Sequence, residues 1–262
     1  MNQSSCPFPS YDLVIDVSQV YCGGFFHWSV EIWPRIAPFL DALLEDDIPD
    51  FAIRIGCEMK DFHSGFYDLV GLISPKVEII GLETVHAKEV IVPTEGFAHS
   101  PLLNYWNLVS VRRHVTRRLG ATDAGVGAIQ RKKTVLVIVR DASRRGDGKI
   151  FDESFFQQLS IGLGSDYNVT AFRSSDSELM KCLECQVRAS MTADVIIGSH
   201  GAGLSHVMFT KRGGTVLERL EGAHDSGIYP ELAFLMGIKY FPMDGNAGAL
   251  AYRDLILFAA SY

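Results

Sequence analysis

The stretch VIIGSHGAGLSHVMF, Val195 to Phe209, sets an apolar run, a small-residue turn bearing His200 and a second apolar run side by side. The first run is short and bounded by a glycine turn, the pattern of a strand covered on both faces. Gly201 and Gly203 then open a segment predicted to be helical. A buried strand that turns directly into a helix is the unit from which parallel α/β sheets are built.

The alternation continues in both directions. Upstream, TVLVIVR (134–140) and YNVTAF (167–172) read as strands, and DESFFQQLSIGL (152–163) as a helix. SDSELMKCLECQVRASMTA (175–193) reads as one helix capped by Ser175 or Asp176. Downstream, GTVLERL (214–220) and IKYFPM are strands, and YPELAFLMG and AYRDLILFAA are helices. The first half offers YDLVIDV (11–17), FAIRI (51–55), KVEII (76–80) and AKEVIVP (87–93) as strands. Between the first two, FHWSVEIWPRIAPFLDALLEDD carries helical spacing, with Pro34 and Pro38 starting or kinking a turn. Further helices are expected near 62–73 and 102–119. GATDAGVGAIQRKK (120–133) is small, polar and glycine-bearing, and reads as a linker. The expectation is therefore an α/β chain of two Rossmann-like domains, 1–122 and 123–262, facing across a cleft, the first of them abbreviated. Ligands of such sheets sit at the carboxyl ends of the strands.

Composition narrows the function classes. At 262 residues and 47% hydrophobic content the chain can bury a core in each half. A formal charge of −7 opposes a nucleic-acid partner, despite basic clusters at Arg112–Arg118, Arg131–Lys133 and Arg140–Arg145. The five cysteines are too scattered to give a complete disulfide framework. Cys182 and Cys185 match CxxC, but the segment reads as helix interior and the pair as two small, partly buried residues. No run approaches the roughly 18 apolar residues of a membrane span, and the first residues lack the order of a signal peptide, so the chain is expected to be soluble. Asn2 and Asn168 begin N-glycosylation sequons, which matter only in a secretory compartment.

Three chemistries compete for the glycine turn. A dinucleotide fingerprint needs G-x-G-x-x-G, and the third glycine is missing after Gly201 and Gly203. An esterase oxyanion loop would need a G-x-S-x-G elbow, which the sequence lacks. Anion capture remains: a small-residue turn opening a helix presents backbone N–H groups and the positive end of a dipole to a phosphate. His200 would add a side-chain donor, and Gly201 and Gly203 would let a ligand approach closely. The competing reading is a tight connection with a satisfied histidine.

HGAGLSHVMF followed by GGTVLE resembles the central signature of glycosyltransferase family 61, H-G-A-G-L-[ST]-N and then G-x-x-[VL]-[IVL]-E. GGFFHWSVEIWPRIAPFL is similar to that family's G-N-x-x-H-W-x-x-[DE]-x-[LM]-P-R-[IL] segment, and VLVIVRDASRR to its [VIL]-x-[IVL]-x-R-x-x-x-R-R block. The blocks come in family order and span about Tyr11 to Leu220. His206 departs from the pattern, which usually has Asn. The resemblance implies a GT-B-like enzyme that transfers a sugar from a nucleotide sugar, most plausibly a uridine diphosphate sugar, to a glycan or glycoprotein acceptor. It implies inversion, no metal and no cofactor beyond the nucleotide-sugar co-substrate. It also implies a Golgi or other secretory location, with membrane contact through an anchor outside this chain; the chain's own residues leave a cytoplasmic location open.

The residues themselves fit metal independence, because the chain has no D-x-D to hold a divalent ion on a diphosphate. Arg140, at the end of a buried strand, and Arg144 or Arg145 in the loop after it would then meet the departing charge. The donor set is accordingly Arg140, Arg144, His200, Gly201, Ala202, Gly203, Leu204 and Glu218. Glu218 ends its strand, where it would accept from ribose hydroxyls or pair with Arg219 or Lys211. On the acceptor side, His27 and Glu31 are four apart and share a helix face. Either His27 is the base oriented by Glu31, or Glu31 is itself the base, or His27 is packed in the core beside Trp28. With Arg140, these two are the catalytic candidates. A nucleotide-sugar-binding pseudoenzyme and a nucleotide-sugar epimerase are the rival functions.

Overall fold

The computed structural model describes residues 8–19, 21–44, 51–72, 77–93, 105–120, 131–140, 150–221 and 227–261. Arg144, Arg145 and most of the expected linker lie outside them. The chain divides into two compact units, Met1–Arg118 and Leu119–Tyr262, each mixed α/β and built on a parallel sheet.

In the first unit, β1 (Ser10–Asp16), β2 (Phe51–Arg54), β3 (Val77–Ile80) and β4 (His86–Ile91) lie in the order β3-β2-β1-β4. Register is fixed by apolar matching, with Ile53 opposite Ile15 on one side and Ile79 on the other. The segment between β1 and β2 is helical, but not as an α-helix throughout. His27–Ile32 is a π-helical turn, Trp33–Phe39 a 3-10 helix and Leu40–Leu44 an α-helix. Pro34 and Pro38 lack the N–H that an α-helical ladder would require, and Trp33 N bonds back to Trp28 O instead. Trp28, Trp33, Ile36 and Leu40 are nevertheless wholly buried. Leu108, Val111 and Val115 of the helix Tyr105–Arg118, itself packed on the 3-10 segment, are buried as completely.

The second unit holds β5 (Lys133–Val139), β6 (Tyr167–Arg173), β7 (Val195–Ser199), β8 (Thr215–Leu220) and β9 (Lys239–Asp244), in the order β6-β5-β7-β8-β9. All neighbours are parallel. The chain moves outward from β5 to β6 and then returns to place β7 on the other side of β5. This reversal opens a crevice at the carboxyl ends of β5 and β7. Phe151, Phe155 and Tyr252 pack edge to face over one side of the sheet, joined by Val135, Val137 and Ile197 from the strands. Asp152 caps the helix Glu153–Leu163, accepting from Phe155 N at 2.8 Å, and Asp176 does the same for Leu179 N at 3.0 Å. Each such cap is worth about 1 kcal/mol.

The expected helix over 175–193 is two helices, Ser177–Lys181 and Leu183–Thr192. Cys182 stands between them with non-helical dihedrals, and its sulfur caps the second helix by accepting from Cys185 N at 3.1 Å. Apolar periodicity runs through the break, which hides it in the sequence. Cys182 and Cys185 are disulfide-bonded, which corrects their reading as two small residues of a helix interior, and Cys22 and Cys57 form a second disulfide.

Candidate functional site

Arg140 follows β5 directly and His200 follows β7, so both stand at the crevice where the strand order reverses. They touch: Arg140 Nη2 donates to the carbonyl of His200 at 2.9 Å. Gly201 has φ +146°, and a Cβ there would collide with the Arg140 guanidinium. The space left by the missing side chain at Gly201 is therefore filled by Arg140, and guanidinium and turn form one assembly. At Gly203 a Cβ would come within 3.1 Å of Ile138 Cγ2, so this glycine lets the helical segment close onto β5.

The segment after the turn, Ala202–Phe209, is a 3-10 helix with Gly201 at its N-cap and no side-chain cap. Its first amides have no partner further back in the helix. Ala202 is exposed at the mouth. Leu204 is the anchor: it is buried, its N–H bonds to Gly201 O at 2.9 Å, and its side chain lies over Gly198, where a Cβ would sit 2.9 Å from Leu204 Cδ2. Of the expected turn residues, Gly201, Ala202 and Gly203 form the turn and Leu204 is packed beneath it.

Glu218 stands behind His200. It is wholly buried, His200 Nδ1 lies 2.6 Å from its Oε1, and Tyr240 Oη donates to its Oε2 at 2.7 Å. Both oxygens are thus committed to protein partners, a different placement from the ribose contact expected of it. Of the two alternative partners, Arg219 pairs with Glu221 and Lys211 with Asp194. A carboxylate that accepts from both sides fixes the proton of His200 on Nδ1. Tyr229 completes the frame, its hydroxyl donating to Gly201 O at 2.5 Å while its ring meets the His200 ring edge on. Tyr229 and Tyr240 come from elements whose sequences carry no motif, so sequence reading had no signal for either.

His206, where the resembling pattern has Asn, is inside the protein. Its Nδ1 lies 3.0 Å from Gly203 O and its Nε2 3.0 Å from Gln186 Oε1, and burial pushes its pKa down to about 4. Gln186 cannot present its amide instead, because Nε2 already donates to Leu179 O at 2.9 Å and Met180 O at 3.1 Å. A neutral imidazole with one N–H thus faces two acceptors.

The first unit carries a matching pair. His27 Nδ1 lies 2.8 Å from Glu31 Oε2, with the Glu31 side chain 2% and the His27 side chain 30% exposed. The π-helical turn brings the two onto one face, and the Tyr21 ring stacks on His27 at 5.1 Å. Gly24 makes room for the imidazole, since a Cβ there would lie 3.2 Å from His27 Cδ2. Trp28 is directed away from His27 into the core, against His63 and Tyr67.

Among the described residues no cluster of His, Cys, Asp and Glu is arranged to hold a metal ion, and no helix is long and apolar enough to cross a membrane. The chain is 28% identical over 179 residues to the EGF domain-specific O-linked N-acetylglucosamine transferase of Gallus gallus, an alignment covering 62% of this chain and 32% of that protein. The chain therefore spans about a third of the relative's length. The sequence pattern described as Glycosyltransferase 61 matches residues 25–217, well over half of the chain. The chain belongs to glycosyltransferase family 61.

Proposed function

We propose that the chain transfers a sugar from a uridine diphosphate sugar to a glycan or glycoprotein acceptor, with inversion and without a metal. The observation that carries this reading is the joining of Arg140 to the His200–Gly201 turn at the reversal of strand order. Open α/β sheets take a diphosphate at such a reversal, and a guanidinium beside a small-residue turn at a helix start is the chemistry that would receive it. The Gallus gallus relative is named for transfer of N-acetylglucosamine, which makes the N-acetylglucosamine nucleotide the first donor to test.

In this reading the second unit holds the donor and the first supplies the base. The acceptor oxygen attacks the anomeric carbon opposite the leaving group, and the bond from that carbon to the diphosphate breaks. His27 takes the hydroxyl proton on Nε2, with Glu31 holding Nδ1 and stabilising the imidazolium that forms. The charge that grows on the diphosphate meets Arg140. Losing a preorganised donor of this kind costs on the order of 10²–10³ in turnover. Glu218 and Tyr240 orient His200 and do not touch the substrate.

The test is calorimetric titration with UDP and UDP-N-acetylglucosamine in excess chelator, followed by an assay of transfer and donor hydrolysis. Binding with turnover under chelation is expected. Absence of nucleotide binding, or turnover restored only by manganese, overturns the proposal.

A further inference from the structure

Cys182 and Cys185 are placed unlike a structural staple. Their disulfide closes a sequence separation of 3, against 35 for Cys22–Cys57, so it constrains little of the unfolded chain. Cys185 is exposed, whereas Cys22 is 6% exposed and its carbonyl lies 3.0 Å from the buried His63 ring. The Cys182 sulfur is the N-cap of the helix Leu183–Thr192 and accepts from Cys185 N at 3.1 Å. A sulfur held by an amide at a helix N-terminus is a good thiolate, and hence a good leaving group.

We propose that Cys182 and Cys185 form a thiol–disulfide exchange centre whose state sets the rigidity of the His200–Leu204 turn. The co-reactant is a thiol, either a small molecule or a protein dithiol. Its thiolate attacks the exposed Cys185 Sγ, the bond between the two protein sulfurs breaks, and Cys182 leaves as a thiolate on its helix cap. A second thiolate attacks the mixed disulfide and departs with the first as their own disulfide. Protons taken up at Cys182 and Cys185 balance those given up by the two thiols. Two electrons pass from the thiols to the protein, and the reverse steps re-form the bond.

The link to the turn is continuous and short. The bridge fixes the corner between the helices Ser177–Lys181 and Leu183–Thr192, and Gln186, next after Cys185, spans that corner. Its Nε2 holds the terminal carbonyls of Leu179 and Met180, and its Oε1 holds His206 Nε2. His206 in turn lies against Gly203 O. Opening the bridge frees the corner, and Gln186 is the group that passes the change to His206 and the turn. The effect on sugar transfer rests on the function proposed above; the measurements below do not.

The experiment incubates the intact chain in glutathione buffers of graded redox poise, then traps thiols with a maleimide and maps them by mass spectrometry. Cys182 and Cys185 are expected to be labelled at a reduced-to-oxidised ratio at least tenfold lower than Cys22 and Cys57 require. If the two pairs open together, or Cys182–Cys185 opens only on unfolding, the exchange centre is refuted. Hydrogen–deuterium exchange is then read across 201–206 in each state. Selective reduction should speed exchange at least threefold there, and a Cys182→Ser/Cys185→Ser chain should match the reduced protein. Gln186→Leu should exchange as fast in both states. Equal exchange in the oxidised and reduced wild type, or an undiminished redox response in Gln186→Leu, overturns the coupling. Neither readout uses a nucleotide, so both stand or fall separately from the transferase reading.

Discussion

His200 rests on Glu218 through a 2.6 Å contact at Nδ1, with the carboxylate wholly buried and the imidazole partly exposed. His27 and Glu31 repeat the arrangement in the other unit at 2.8 Å. In each pair a buried carboxylate holds Nδ1 of a partly exposed imidazole. Glu218→Gln keeps the shape but offers a neutral amide, and it leaves the Tyr240 hydroxyl a weaker acceptor. Donor affinity should fall about tenfold, the equivalent of about 1.4 kcal/mol, with the turn still folded. Calorimetry decides it, and unchanged affinity would remove His200 from the donor site.

His27→Ala should leave donor affinity near the wild-type value, because the donor groups proposed above belong to the other unit. Transfer should fall by on the order of 10²–10⁴ if the imidazole is the base. Glu31→Gln should lower turnover by less and shift its pH profile. A His27→Ala chain that loses donor affinity and turnover in equal measure would assign the residue to the donor site or the core.

Gly201→Ala should act through Arg140, since the new Cβ occupies the guanidinium's position and the φ of +146° disfavours any side chain. Arg140→Ala and the double variant should then have the same turnover, whereas independent sites would add. Additive losses in the cycle would mean that the turn and the arginine act separately.

Burial makes His206 a source of acid sensitivity. Its folded pKa of about 4 lies below the ordinary value near 6.5, so the unfolded chain takes up the proton first as pH falls. Its contribution is complete above about pH 6.5 and is lost as pH drops towards about 4, a span worth up to roughly 3 kcal/mol. His63, whose pKa burial also lowers, adds in the same direction. Urea unfolding between pH 4 and pH 8 should show a shallower slope for His206→Asn; parallel curves for the two proteins would refute the assignment.

The parallel strands were legible because each is a short apolar run closed by a turn, as in TVLVIVR and VIIGS. Sequence also brought Arg140, His200 and Gly201 to one strand end, since a parallel sheet puts every such end on the same edge. The break at Cys182 was not legible, because apolar spacing continues through it and the groups that fix the corner, the paired sulfurs and the Gln186 amide, carry no helix-ending signal. The burial of Glu218 was hidden for another reason: its partner Tyr240 is 22 residues away, on a neighbouring strand. Local pattern reports which way a side chain points from its own element. It does not report what comes to meet it.

The π-helical turn at His27–Ile32 makes the number of residues there matter as much as their kind. Such a turn accommodates more residues per revolution than an α-helix. Removing one residue between His27 and Glu31 would let the ladder close in the ordinary way, rotating His27 relative to Glu31 while the rest of the motif stayed legible. Among related genes, a one-codon gap in this tract would therefore mark loss of the imidazole's support more reliably than many substitutions would, and a search by composition alone would pass over it.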